Sequence, residues 1–370
     1  MPPAIIAAAV GIAASAAAAA GIITLTTAMV ITIAASAAAA LLTKTKVPSL
    51  GAYTSQQERK QVLRSSSAPQ VYVYGRTMTS GLLFFAEEEK GDQEKEWVHL
   101  AITLAAHEID AVETIYLGDE PVGAYGNLVT WELHNNRQTA DPFMLEHCQS
   151  WKPDMIGKGI AWLRISLKFD QKKFPAGLPN IKIQLRGKKV YDPRTQQTAW
   201  SDNAALCILD FYKNVCNVSD AETDLNQFIQ AANISDQIVA PNSYKRYTIN
   251  GAFDLTDAQS SVLDDLHKAC AGEPTYMAGR HGLLVGAYYG PATLEIHPGQ
   301  IVSDVKIVPE AAYNQKLNTV TGIFTDPDQL FTEVDYPPVF VQQYIDEDGF
   351  EFTDDLKLIK ICFVIVAGIY

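Results

Sequence analysis

The sequence predicts an α+β fold in which β-strands predominate, and three observations carry that reading. Between Val71 and Leu185, short segments rich in β-branched and aromatic residues recur, separated by Gly, Asp, Asn or Pro. After Tyr191 the pattern changes, and apolar residues return at helical spacing. Ahead of both lies an Ala-rich stretch, Met1 to Leu42, without a single charged side chain.

Residues 1–42 read as a separate apolar helical segment. A secretory signal needs a basic start and a shorter apolar run, and neither is present. The length exceeds the roughly 20 residues needed to cross a bilayer. Its many alanines give only a marginal lipid preference, yet they permit close helix–helix approach. Ile5, Ile6, Val10, Ile22, Ile23, Val30, Ile31 and Leu41 are the side chains of a candidate membrane or lumen segment. As one helix, Ile5 to Leu41 would reach about 55 Å. Gly21 and Thr24 to Thr27 are its break points, because Gly and β-branched Thr weaken a helix. Residues 43–70 form a polar connector.

Residues 71–190 read as a first β domain. Strands are expected at Val71–Gly75, Gly81–Ala86, Trp97–Ala106, Val112–Leu117, Ile160–Phe169 and Ile181–Leu185. Within Trp162–Phe169 apolar and polar residues alternate, which predicts a strand buried on one face. The acidic run from Glu87 to Glu96 reads as a solvated hairpin tip.

Residues 191–310 read as a helix-containing α+β module. Ser201-Asp202-Asn203 offers capping oxygens to a helix over Asn203–Cys216 that turns Ala205, Leu206, Leu209 and Tyr212 inward. A capping box of Ser219 and Glu222 predicts a second helix over Asp220–Ala232. Tyr247–Phe253 reads as strand. A third helix near Gln259 places Val262, Leu266, Ala269 and Cys270 on one side, with Gly272 to end it. A hairpin follows around Gly279-Arg280-His281-Gly282. Residues 311–358 return to strands, at Val320–Phe324 and Val339–Tyr344, with Asp346–Gly349 as a turn. Residues 359–370 are an apolar tail.

Chemistry is sparse. The net charge of −13 has the wrong sign for gripping phosphates, so no sequence-specific nucleic-acid binding is expected. Five scattered cysteines contain no CxxC pair, which points to neither zinc nor a disulfide framework. No GxSxG, HExxH or phosphate-binding GxxxxGK[ST] motif occurs. His107-Glu108 could pair a base with an orienter, but at a strand end it reads as a satisfied, partly buried histidine. No catalytic, cofactor-binding or metal-binding residue is expected, and the chain is not expected to be an enzyme.

The most distinctive stretch is Lys189 to Tyr212, KVYDPRTQQTAWSDNAALCILDFY. With Val73-Tyr74-Gly75-Arg76, Gly81-Leu82-Leu83, His99 through Asp119-Glu120, Tyr247–Ala252, Asn318–Phe324, Val334-Asp335-Tyr336-Pro337 and Glu347-Asp348-Gly349, it forms an ordered series. That series resembles the hub region of the lambda host-specificity protein J family, the tail-tip or baseplate hub proteins of long-tailed phages. The family-like block comprises Tyr191, Asp192, Pro193, Arg194, Trp200, Asn203, Leu206, Leu209 and Asp210.

The resemblance implies hub-type β-barrel domains with an inserted α+β module. It implies a structural protein in the virion, assembled as a homotrimer at the tip of the tail. That trimer would close the tube and open it for DNA ejection. Implied partners are distal tail ring proteins, the end of the tape-measure protein, and fibre or receptor-binding tail proteins. The long apolar N-terminus departs from the family; it is expected to pack on its symmetry mates near the tube axis and, on opening, to be released toward the host envelope membrane. Family members continue past the Glu-Asp-Gly turn into a receptor-reading end that has no counterpart here, so either a second polypeptide supplying it or an interrupted gene is expected. Two other classes fit parts of the sequence: a membrane-anchored or secreted bacterial protein, and a tail-associated hydrolase.

Overall fold

The computed structural model describes residues 70–358, apart from 92–95, 176, 240–243, 292–293, 305–315 and 327–328. The candidate segment from Ile5 to Leu41, nearly all of the connector and the tail at 359–370 lie outside the described residues. Among the described residues, no helix is long and apolar enough to cross a membrane.

The predominantly β, α+β class holds. Strands β1 (Val71–Tyr74), β2 (Arg76–Thr79), β3 (Leu82–Glu88), β4 (Trp97–Ala105), β5 (Ala111–Leu117), β6 (Glu120–Pro121), β7 (Val129–Asn135), β8 (Ala161–Lys168) and β9 (Ile181–Arg186) come first. They make two antiparallel four-stranded sheets, ordered β3-β4-β8-β7 and β2-β9-β5-β6. Both sheets remain open, and no closed barrel forms among the described residues. Their facing side chains share one core, with Leu100, Ile102, Leu163, Ile165, Ile115 and Ile183 at its centre. Each fully buried aliphatic side chain of this kind contributes about 1.5–3 kcal/mol.

Strand β8 departs from its expected one-sided burial. Leu163, Ile165 and Leu167 face the shared core, but Trp162, Arg164 and Ser166 are buried as well. The reason is a lid over the outer face. Helix α1 (Pro142–His147), capped by the Asp141 carboxylate accepting from the Phe143 N–H, brings Met144 down with Cys148 and Trp151 onto Phe85, Ala101 and Trp162. A strand covered on both sides can keep polar residues on one face only if each finds a partner.

The chain then forms the hairpin of β10 (Lys189–Asp192) and β11 (Gln197–Trp200), followed by helix α2 (Ala204–Asn214). Residues 204–212 are buried all round the helix, so α2 is the axis of a second core. The second helix starts later than expected. Ser219 and Glu222 do pair, but around a single 3₁₀ turn, and Asp224 caps helix α3 (Leu225–Ser235) instead. A small ladder of β12 (Ile238–Val239) with β13 (Tyr244–Lys245) precedes β14 (Gly251–Asp254), which is shorter than the strand expected over Tyr247–Phe253.

Helix α4 (Gln259–Lys268) buries Val262 and Leu266, with Ala269 and Cys270 just beyond, as its spacing predicts. Its stop differs by one residue. Ala271 takes the left-handed turn, at φ 45°, while the Gly272 N–H reaches back to the His267 carbonyl. The hairpin of β15 (Glu273–Met277) and β16 (Arg280–Leu284) turns at Ala278-Gly279, both at positive φ, one step ahead of the expected turn.

A last sheet centres on β17 (Thr319–Asp326), with β18 (Thr332–Asp335) and β19 (Val339–Phe340) antiparallel to it and β20 (Thr353–Leu358) parallel. The strand expected over Val339–Tyr344 stops at Phe340. Residues Gln342–Asp348 form helix α5, ended by Gly349 at φ 67°, where a loose turn was expected.

Candidate functional site

Strand β1 is the wall between the two cores. Its period of two sends Val73 into the core of the paired sheets, while Tyr72 and Tyr74 enter the helical core. The strand is held from several sides. It pairs with β14, its Val73 carbonyl accepts from the Lys188 N–H at 2.9 Å, and its Val73 N–H donates to His107 Nε2 at 2.9 Å. Gly187 passes so close that a Cβ there would meet the Val73 carbonyl oxygen at 2.4 Å. Only glycine fits that approach without a shift.

His107 has both ring nitrogens committed to backbone, since Nδ1 donates to the Glu108 carbonyl at 2.8 Å. Burial is the main cause that depresses its pKa to about 4, against the bond to Glu108. The ring is therefore neutral and structural in this geometry, and the Glu108 carboxylate does not orient it. Glu108 instead accepts from Asn136 Nδ2 at 3.0 Å.

The family-like block is assembled at this same wall. Asp210 on α2 accepts from the Tyr74 hydroxyl at 2.7 Å, from Lys188 Nζ at 2.8 Å and from Asn214 Nδ2 at 2.7 Å. Lys188 also donates to the Tyr72 hydroxyl at 2.6 Å. Burial opposes the charge on Lys188, but the Asp210 carboxylate outweighs it and raises the lysine pKa. Burial first, then Asp210, pushes the Tyr74 hydroxyl well above its ordinary range. A buried, hydrogen-bonded ion pair of this kind locks one register between strand and helix.

Asn203 does two tasks from a fully buried position. Its Oδ1 caps α2 by accepting from the Leu206 N–H, and its Nδ2 donates to the Ala232 carbonyl near the end of α3. Leu206 and Leu209 lie in the helical core as expected. Around the Asp192-Pro193 turn, Arg194 grips Asp192 through Nε and Nη2 and reaches Asp236 at 2.8 Å and Asn233 at 3.1 Å. Lys245 continues the chain, with Asp236 at 3.2 Å and Asp202 at 2.9 Å. Hydrogen bonds donated to Asp192 raise the Arg194 pKa further, so this guanidinium is a permanent charge. Trp200 closes the block by donating from Nε1 to the Gly75 carbonyl at 3.3 Å. Tyr191 stays half-exposed, with the Lys213 ammonium over its ring.

The structure thus brings Trp200, Asn203, Leu206, Leu209 and Asp210 to the junction of the two cores, with Asp192 and Arg194 pinning the adjacent turn. Tyr74, from the Val73-Tyr74-Gly75-Arg76 run, belongs to the same network, and so do Lys188 and Tyr72, which the sequence does not single out. A lysine beside a Gly, 22 residues from its aspartate, carries no spacing signal. What these groups can do is mechanical: they fix one arrangement of two cores about a single strand.

No family model matches the chain, and no curated protein matches it. Among solved structures, the fold is similar to that of a chain in the "Virion of native gene transfer agent (GTA) particle". The TM-score is 0.50 at 13% sequence identity, over 86% of this chain and 73% of that one. At so low an identity the likeness is one of fold.

Proposed function

We propose that this chain is a structural protein of a phage-like virion, and more narrowly a tail-tip or baseplate hub protein. The observation that carries the reading is the shared fold with a virion chain over most of both lengths. The ordered hub-like series through Lys189–Tyr212, now located at the wall between two cores, supports it from the side of sequence. In this reading three copies surround the end of the tail tube. They meet distal ring proteins and the end of the tape-measure protein above, and fibre or receptor-binding proteins below. Receptor contact then biases a bistable interface from closed to open, letting DNA pass into the host. In the same reading the apolar segment from Ile5 to Leu41 is the part of the chain offered to the host envelope on opening. Binding and assembly, rather than catalysis, are the activity.

Density-gradient particles analysed by mass spectrometry test this directly. The chain should co-purify with tails, and its deletion should yield particles without functional tails. Recovery only in the membrane or culture-fluid fraction, with tails intact without it, would overturn the proposal.

A further inference from the structure

Two clusters of histidine and carboxylate groups lie beneath α1, and they differ in one decisive respect. In the first, Glu132, His134 and Asp141 already hold a cation. Arg164 reaches Asp141 at 3.0 Å and Glu132 at 2.5 Å, and Arg137 reaches His134 Nδ1 at 2.9 Å. In the second, Glu89, His99 and His147 converge with their ligand atoms within 4.8 Å of one another. Among the described residues, the Glu89 carboxylate pairs with these two imidazoles and with no lysine or arginine.

The structure assigns to Glu89, His99 and His147 a binding site for a divalent transition-metal ion of the zinc, cobalt or nickel type. The three side chains come from three elements. Glu89 follows β3, His99 lies within β4 and His147 ends α1. Hairpin register places Glu87 opposite His99, so Glu89, two residues on, shares that face. Two neutral imidazoles and one carboxylate form a donor set suited to those ions rather than to magnesium or calcium, which prefer oxygen alone.

Support around the ligands is also present. His99 is 1% exposed, and its far nitrogen, Nδ1, lies 2.8 Å from Ser166 Oγ. A hydroxyl can donate to or accept from that nitrogen, so Ser166 serves the tautomer that frees Nε2 for a metal. The His147 ring stacks on Phe143 at 4.0 Å, and the same Phe143 meets His99 edge-on. His147 is 30% exposed and Glu89 21%, leaving one side open for entry and for a fourth, exogenous ligand. Glu89 currently bridges the two rings, 2.7 Å from His99 Nε2 and 2.6 Å from His147 Nδ1. Metal–nitrogen and metal–oxygen bonds near 2.0–2.1 Å need those separations to widen by under about 1 Å, within the swing of a glutamate. Binding moves the ring protons that now face the carboxylate to the far ring nitrogens, which for His99 is the Nδ1 beside Ser166 Oγ. The site goes beyond the virion reading and does not depend on it.

Full-length protein stripped with chelator and titrated with Co²⁺ tests the assignment. The expected result is a single ion per chain, with visible absorption characteristic of low coordination number, displaced by Zn²⁺. His147→Ala and Glu89→Gln should each weaken binding at least tenfold, and Ser166→Ala by roughly ten- to a hundredfold. Glu132→Gln in the arginine-filled cluster should leave binding unchanged. Both first-named changes lie at partly exposed side chains, and circular dichroism checks that the variants fold. Absence of stoichiometric Co²⁺ or Zn²⁺ binding, or equal binding by folded Glu89→Gln and His147→Ala proteins, would overturn it.

Discussion

The two cores that share β1 and the sheet that follows them differ in what covers their apolar side chains. Around β1, large residues such as Tyr74, Leu100, Ile165, Phe211 and Phe228 are buried by their own chain. In the sheet around β17, the described apolar residue that is buried is Tyr336, while Val339, Phe340, Val341, Tyr344 and Phe350 are exposed. The first region buries its largest side chains within the chain, and the second leaves more of its apolar side chains at the surface. Exposed apolar surface of this kind is what obligate interfaces bury. Under the proposed hub reading, neighbours would complete the periphery around the β17 sheet.

The largest expected effect lies at the buried ion pair of Lys188 and Asp210. Asp210→Ala leaves the Lys188 ammonium and the Tyr74 hydroxyl without their partner inside the junction, and should destabilise the fold by about 3–5 kcal/mol in chemical denaturation. A loss as small as that of a surface change would show that the two cores are not locked through this pair. Next, Leu209→Ala opens a cavity beside α2 and should cost about 2–5 kcal/mol. Tyr344→Ala, in the exposed group, should stay within about 0.5 kcal/mol.

Acid should act through His107. Its folded pKa of about 4 lies below the ordinary histidine value, so protons bind the unfolded chain first. Stability from this group is complete above about pH 6.5 and is lost as pH falls toward about 4, by at most about 3 kcal/mol. Tyr72, Lys188 and Asp210 face the same ring environment. Replacing His107 with Gln should flatten that part of the pH–stability curve, and a curve of unchanged steepness would assign the acid sensitivity elsewhere. A smaller effect is expected from Asn203→Ala, which removes the α2 cap, at about 1–2 kcal/mol by thermal unfolding. Smallest in stability is Phe340→Ser, expected to leave the melting midpoint of the isolated chain unchanged while reducing incorporation into particles. Normal incorporation would remove the interface role from that sheet.

Much of the body is legible in the sequence because its signals are local. The alternation in Val71–Tyr74 and Trp162–Phe169, the Asn203 cap and the Val262–Leu266 stripe each act over one element. What escapes is set by tertiary contact. Edge strand β7, with its largely exposed mixed residues, shows no apolar run, and the outer burial of β8 depends on α1, which arrives from elsewhere. Glu89 sits in an acidic run that reads as solvated, yet the hairpin register and α1 draw it onto two histidines. His99 and His147 are 48 residues apart, and no motif spacing joins them. The Gln342–Asp348 helix was masked by the β-branched residues just before it, although Gly349 offers a helix-ending signal.

As proposed, this chain sits in the virion as a tail-tip component. Electron cryomicroscopy of purified tails carrying a compact tag on this chain measures that most directly. Three tags arranged about the axis at the distal end of the tube are expected, with density fitting the two cores joined at β1. Tails without tag density, or tags on the tube or capsid instead of the tip, would contradict it.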